Sequence, residues 1–251
     1  MTLRPERANA ARGAAWLVGL AASLGACATP GPQVLSPGDP LVRSALERIA
    51  RQAERRVNLI AFGQLRMSAR GDRGRVEQVV VAERPDRLRL ESLDPLGQTV
   101  ALLVSDGSRF GWYDGRRLES GPVSASLLRD RLGLELAPRE AVEAILAAPS
   151  AVDSTVRAAF RSRGEMVVEL DAWRLRLAAD GELSGLESLD AAGRTRWRAE
   201  YSGWSDVPGG RFPHDLSIEI PPARTRVRLA LREIRLNAAL DPRVFVLPVN
   251  D

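Results

Sequence analysis

Hydrophobic and polar positions alternate with period two along most of this chain. In residues 87–104, Leu88 and Leu90 alternate with Arg87, Arg89 and Glu91, and Val100, Leu102 and Val104 begin a second run. Such alternation marks half-buried strands. Asp94-Pro95-Leu96-Gly97 lies between the runs and predicts a turn. Leu96 does not fit, being a large apolar residue at what should be a solvated tip. Upstream, Leu59, Ala61, Gly63, Leu65 and Met67 alternate, Gly71-Asp72-Arg73-Gly74 predicts a hairpin turn, and a strand follows at Val76–Val81. Downstream, Ser105-Asp106-Gly107 and Asp114-Gly115 predict turns on either side of a short strand at Phe110–Tyr113.

The same alternation returns after residue 165, in Met166–Leu170, Trp173–Leu177, Leu183–Leu189, Trp197–Tyr201, Leu216–Ile220 and Val227–Leu231. Residues 203–213 read as a polar loop, and Val244–Leu247 as an apolar knot able to form a last short strand. Helical spacing appears in three places. Leu41, Val42, Ala45, Leu46, Ile49, Ala50 and Ala53 follow Asp39-Pro40, an N-cap and a first-turn proline. Shorter helices are predicted over Ser126–Leu132 and Pro138–Ala148. About ten antiparallel strands with one apolar face make a sheet that curls, because large twisted sheets do not stay open and flat. The predicted fold is mainly β with α: an unclosed antiparallel β-barrel covered by an N-terminal helix and short lid helices. Its apolar face is expected to line an acyl-chain cavity, with Leu88, Leu90, Leu102, Trp112, Leu128, Ile145, Trp197 and Ile218 as candidates. A one-residue slip of register moves any strand's set to the other face.

The first 26 residues have the pattern of a signal peptide: Arg4, Arg7 and Arg12, then the apolar run Ala14–Leu24. The run is too short to span a bilayer as a mature helix. It ends in Leu24-Gly25-Ala26-Cys27. Residues 27–40 carry Pro30, Pro32, Pro37 and Pro40 with Gly31 and Gly38, and read as a tether. Residues 41–251 form the single predicted domain. All 36 basic residues are arginines, spread along the chain. Of the net charge of +4, residues 1–26 hold three arginines against Glu6, so the remainder is nearly neutral. That balance does not indicate nucleic acid.

Catalytic and cofactor signatures are sparse. Cys27 is the single cysteine and His214 the single histidine, so neither a disulfide framework nor a Cys/His metal set can be assembled. No nucleotide-binding glycine motif and no nucleophile elbow is present. The expectation is a binding protein, not an enzyme, with no cofactor and no metal.

Several of these features together resemble the LolB-like outer-membrane lipoproteins of the LolA/LolB lipoprotein-localisation family. They are the lipobox-like Leu24–Cys27, the first helix, Arg87–Leu90 leading into Asp94-Pro95-Leu96-Gly97-Gln98-Thr99, the helical Ile145–Pro149, and Arg196–Tyr201. The resemblance covers roughly residues 27–235. It implies lipidation at Cys27, an outer-membrane anchor in a Gram-negative bacterium with the domain facing the periplasm, and a monomer. Ala28, in place of an Asp, is compatible with the outer membrane. The implied function is to accept lipoproteins from a periplasmic LolA-like carrier, holding their acyl chains in an apolar cavity, and to insert them into the outer membrane. The loop Pro95, Leu96 and Gly97 would serve membrane insertion, with Leu96 protruding. The residues 203–213 and the tail after Arg235 depart from the family pattern. Two alternatives stay open: a lipoprotein of the same fold that binds another amphiphile or serves envelope assembly, and a hydrolase using His214.

Overall fold

The computed structural model describes residues 31–69, 72–150, 154–162 and 164–247. Cys27 and the predicted signal peptide lie outside the described residues. β1 (Gln33–Leu35) precedes α1 (Pro40–Arg55). A meander follows: β2 (Asn58–Ala69), β3 (Asp72–Glu83), β4 (Arg87–Leu93), β5 (Thr99–Ser105), β6 (Arg109–Tyr113) and β7 (Leu118–Pro122). After α2 (Leu127–Leu132) and α3 (Pro138–Ile145) comes a second meander. It comprises β8 (Ala158–Ser162), β9 (Glu165–Glu169), β10 (Trp173–Leu177), β11 (Leu183–Leu189), β12 (Thr195–Val207), β13 (Gly210–Ile220) and β14 (Thr225–Leu236).

β14 pairs with β2, from Thr225↔Ala69 to Leu236↔Leu59, and so welds the two meanders into one 14-stranded sheet. β1 and β7 are its free edges among the described residues, and the barrel is unclosed. At Gly63 a Cβ would stand 2.2 Å from the carbonyl oxygen of Ala230, where β14 carries a bulge between Leu231 and Glu233. Glycine permits that close backbone approach, and the bulge strengthens the local twist.

One face of the sheet is the core. α1 lays Val42, Ala45, Ile49 and Ala53 against it, and the Asp39 carboxylate caps the helix by accepting the Leu41 N–H at 2.8 Å. The spacing of these four residues is the apolar stripe of an amphipathic helix. α3 is buried nearly all round, so its polar groups need partners within the protein. Tyr201 donates its hydroxyl to the Ala144 carbonyl at 2.9 Å. Glu140 accepts from Trp197 Nε1 at 3.2 Å and from Arg196 at 2.9 Å.

Four expectations change. Among the described residues there are fourteen strands, not about ten, because β1, β7 and β8 are short and lack clear alternation. Within the predicted tether, Gln33–Leu35 pair with β8, and Leu35 is only 6% exposed. Residues 203–213 are not a loop but the outer part of the β12–β13 hairpin, turned at Pro208-Gly209 with Gly209 at φ 94°. Its glycines and prolines and the exposed Asp206 and Arg211 hide the alternation, although Phe212 is buried and Trp204 and Val207 pack against the core. The last apolar knot forms a 3-10 turn, Pro242–Phe245, rather than a strand. Its start repeats the Asp-Pro signal of α1: the Asp241 side chain accepts the Arg243 N–H at 2.9 Å.

Candidate functional site

Between the inner face of the sheet and the α2–α3 segment lies an apolar cavity. Its sheet wall is a cross-strand row in which Leu90 of β4 pairs with Leu103 of β5, and Leu103 with Trp112 of β6. Leu65, Met67, Ile218, Val227 and Leu229 continue the wall across β2, β13 and β14. Leu128, Leu132, Leu134, Leu136, Ala141 and Ile145 supply the lid. Only Gln78 and Ser92 are polar among the seventeen lining residues, and they satisfy each other. Ser92 donates to Gln78 Oε1 at 2.9 Å, and Gln78 donates to the Val79 carbonyl at 3.2 Å. Apart from that pair and the Trp112 indole N–H the lining is apolar, and such a cavity favours hydrocarbon over water.

The cavity is about 100 Å³. A water occupies about 30 Å³ of liquid, and ligand pockets usually run to about 300–1,000 Å³. The cavity is therefore smaller than such a pocket. The two lid helices are held unequally. α3 is fixed at its C-terminal end by Arg56, which donates to the carbonyls of Ala147 at 2.8 Å and Leu146 at 3.4 Å, and to that of Arg211 at 3.0 Å. Arg56 is buried against the rings of Trp204 and Phe212, and desolvation by that burial lowers its pKa. Tyr201 ties the last turn of α3; its burial pushes the phenol pKa upward, so the hydroxyl stays a donor. Among the described residues, α2 has one ion pair to the sheet, Arg131 to Glu119 at 2.7 Å, beside the stacking of Arg131 on Phe110. α2 ends at Gly133, whose φ of 68° is the left-handed turn that glycine adopts freely. Among the described residues, α2 has fewer polar ties to the sheet than α3, though Leu127 and Leu128 are buried in the core.

Leu90, Trp112, Leu128, Ile145 and Ile218 line the cavity. Three other candidates do not. Leu88 is on the same face but sealed in the solid core. Trp197 is 0% exposed, packed edge-on against Trp173 with centroids 5.5 Å apart and hydrogen-bonded to Glu140. Leu102 points to the outer face with Val81 and Val104, where the C-terminal turn lies across β4 and β5. The run Thr99–Ser105 is apolar on both faces, and the bulge at Ser92/Leu93 sets which leucine faces in. Leu103 takes that place. Leu65, Val227 and Leu229, which alternate with polar neighbours in the sequence, line the cavity as well.

Leu96 stands at the tip of the β4–β5 hairpin and is 83% exposed. The loop beneath it is braced: the Asp94 carboxylate accepts the N–H groups of Leu96 at 2.8 Å and Gln98 at 2.9 Å. Gly97 closes the turn at φ 80°, its N–H on the Asp94 carbonyl. A large apolar side chain is thus presented to solvent on a braced turn.

His214 Nδ1 lies 2.9 Å from the Leu231 carbonyl, so Nδ1 carries the proton and Nε2 accepts from the Ser205 hydroxyl at 2.8 Å. A carbonyl occupies the place that a carboxylate holds in a hydrolytic triad, and it does not offset an imidazolium charge as a carboxylate does. Among the described residues no cluster of three metal-ligating side chains occurs, and no helix is long and apolar enough to cross a membrane.

No family model matches the sequence, and no curated protein matches it. Solved structures do match in fold. A DUF1329 family protein from Desulfovibrio piger superposes with a TM-score of 0.57 at 10% identity, over 81% of this chain and 96% of that one. A LolA superfamily protein from Nitrosomonas europaea gives 0.55 at 11% identity, over 80% and 97%. A domain from Vibrio parahaemolyticus named for outer membrane lipoprotein sorting gives 0.53 at 11% identity, over 81% and 97%. At these identities the likeness concerns the fold alone, which this chain shares with these structures.

Proposed function

We propose that this protein is an outer-membrane-anchored acceptor that takes lipoproteins from a periplasmic LolA-like carrier and places them in the outer membrane. The observation that carries this reading is a lidded apolar cavity in the same domain as a braced, exposed leucine hairpin. Acyl chains of the client enter the cavity as α2 swings away, while Arg56 and Tyr201 keep α3 on the sheet. No nucleotide is spent. Each CH₂ buried is worth about 0.8 kcal/mol, so a slightly better fit than the carrier's sets the direction of transfer. Leu96 then enters the acyl boundary and opens a path to the bilayer, and an acylated Cys27 holds the domain at the membrane. Several acyl chains give stable anchoring where one does not.

The test is transfer. A purified LolA-like carrier loaded with lipidated client is mixed with this protein, and client is followed by pull-down on each partner. Movement of client to this protein without nucleotide supports the reading. Client that stays on the carrier, with saturable binding of a free fatty acid to this protein, favours the second reading: a lipoprotein of the same fold for another amphiphile. The fold leaves that choice open, since it is shared with a DUF1329 protein as well as with LolA-superfamily proteins.

A further inference from the structure

The end of the sheet that carries Leu96 also carries a row of arginines on the outer face. Arg228 of β14 pairs directly with Arg66 of β2, and Arg66 with Arg75 of β3. Like charges directly opposite each other destabilise a sheet. Neighbouring arginines on this face find carboxylates: Arg226 pairs with Glu219, and Arg232 with Glu77. Among the described residues Arg66, Arg75 and Arg228 have no such partner, and Arg66 donates only to Gln64 at 3.1 Å. Arg66, Arg75, Arg226 and Arg228 line an open cleft of about 620 Å³.

Register places this cleft. Glu77 faces Leu93, the last residue of β4, so Arg75 stands level with the Asp94–Gln98 turn under Leu96. Met67, next to Arg66 on β2, lines the apolar cavity from the inner face, so the cleft lies behind that end of the cavity wall. Beyond β5, the β6–β7 tip adds Arg116 and Arg117, whose N–H groups bond to the Asp114 carboxylate at 3.0 and 2.8 Å. Leu118, next in the chain, is 62% exposed.

We propose that the Arg66–Arg75–Arg228 row is a contact site for anionic phospholipid headgroups, which seats the Leu96 end of the domain on a membrane. Guanidinium forks match phosphate oxygens in geometry and charge. Among the described residues this row forms no ion pair within 4 Å, although Glu165, Glu200 and Asp215 line the neighbouring outer cleft with Arg66 and Arg228, and it can take an anion from outside. Exposed leucines at two adjacent hairpin tips beside it specify a lipid surface, because basic groups flanking apolar side chains form the interfacial pattern. This inference goes beyond the acyl-cavity reading and does not rest on it, since no cargo is involved.

The test is co-sedimentation of the full chain, carrying Cys27→Ala to remove any acyl anchor, with phosphatidylcholine vesicles containing or lacking phosphatidylglycerol. The expected result is binding that requires phosphatidylglycerol and falls with salt. Each arginine near such a surface contributes about fivefold, so Arg66→Gln/Arg228→Gln should weaken binding roughly twenty-five-fold. The double variant should melt no lower than the parent, because removing opposed like charges relieves repulsion. Equal binding to both kinds of vesicle, or equal binding by parent and double variant, overturns the proposal. So does binding of soluble poly-glutamate, lost in the double variant, by a protein that ignores anionic vesicles; that outcome assigns the row to an acidic protein partner.

Discussion

Ala141 offers a direct way to ask what the cavity is for. It lies on α3, is buried, and faces the cavity beside Ile145. Ala141→Leu adds three carbons. A cavity of about 100 Å³, at about 24 cal/mol for each Å³ left empty, represents about 2.4 kcal/mol of packing this form of the domain forgoes. Three buried carbons at about 0.8 kcal/mol each give the same upper limit. Leucine cannot fill the space without some strain, and overpacking works against the gain. The expected net is about 1–2 kcal/mol of added stability, or a rise in Tm of roughly 2–8 °C for a domain of this size. That form is what ligand must displace, so affinity for a fluorescent fatty acid should fall by about fivefold to thirtyfold. Thermal melting and probe titration on the same protein decide the matter. A higher Tm with unchanged affinity would show that the probe binds elsewhere. A Tm several degrees lower would show that the site was already solid, and the cavity argument would be lost.

Three further outcomes are expected. Leu96→Glu should change stability by no more than about 0.5 kcal/mol, as exposed positions do, yet abolish client delivery to liposomes while leaving acceptance from the carrier intact; melting and vesicle flotation read the two effects separately. Cys27→Ala should move the protein out of the outer-membrane fraction, and wild-type levels in outer-membrane vesicles would count against lipidation. At the β5–β6 turn, the Arg109 N–H, with help from the Ser108 N–H and hydroxyl, holds the Asp106 carboxyl below its ordinary value. A depressed folded pKa gives stability that is present above the unfolded pKa of about 3.9 and lost as pH falls through the folded value. Asp106→Ala should therefore lower the urea midpoint at neutral pH, with the gap to wild type closing in strong acid; a gap independent of pH would sink the assignment.

Which parts of this molecule its sequence discloses follows from where one side meets water. β10, β14 and the Leu216–Ile220 part of β13 alternate apolar with polar residues, and each is half-buried as that pattern requires. α1 was equally plain, because its cap, proline and apolar stripe agree. Thr99–Ser105 was ambiguous because both faces are covered, one by the lid and one by the C-terminal turn, so Leu102 and Leu103 could not be told apart by hydrophobicity. Trp197 reads as a cavity residue from its size and phase; only the position of Glu140, 57 residues away, shows it to be a strut under α3. Arg56 carried no signal at all. It is one of 36 arginines, and its burial depends on three carbonyls contributed by distant segments.

The central claim is that a client's acyl chain sits between the sheet and the α2–α3 lid. Photo-crosslinking tests it most directly: a client lipoprotein carrying a diazirine in its acyl chain is delivered from the LolA-like carrier, irradiated, and the adducts are mapped by mass spectrometry. The account predicts adducts on Leu103, Leu128, Leu132 and Ile145, and fewer of them in Ala141→Leu. Adducts confined to the outer face around Leu102, Val104 and Phe245, or no adduct on a protein that has taken up client, would contradict it.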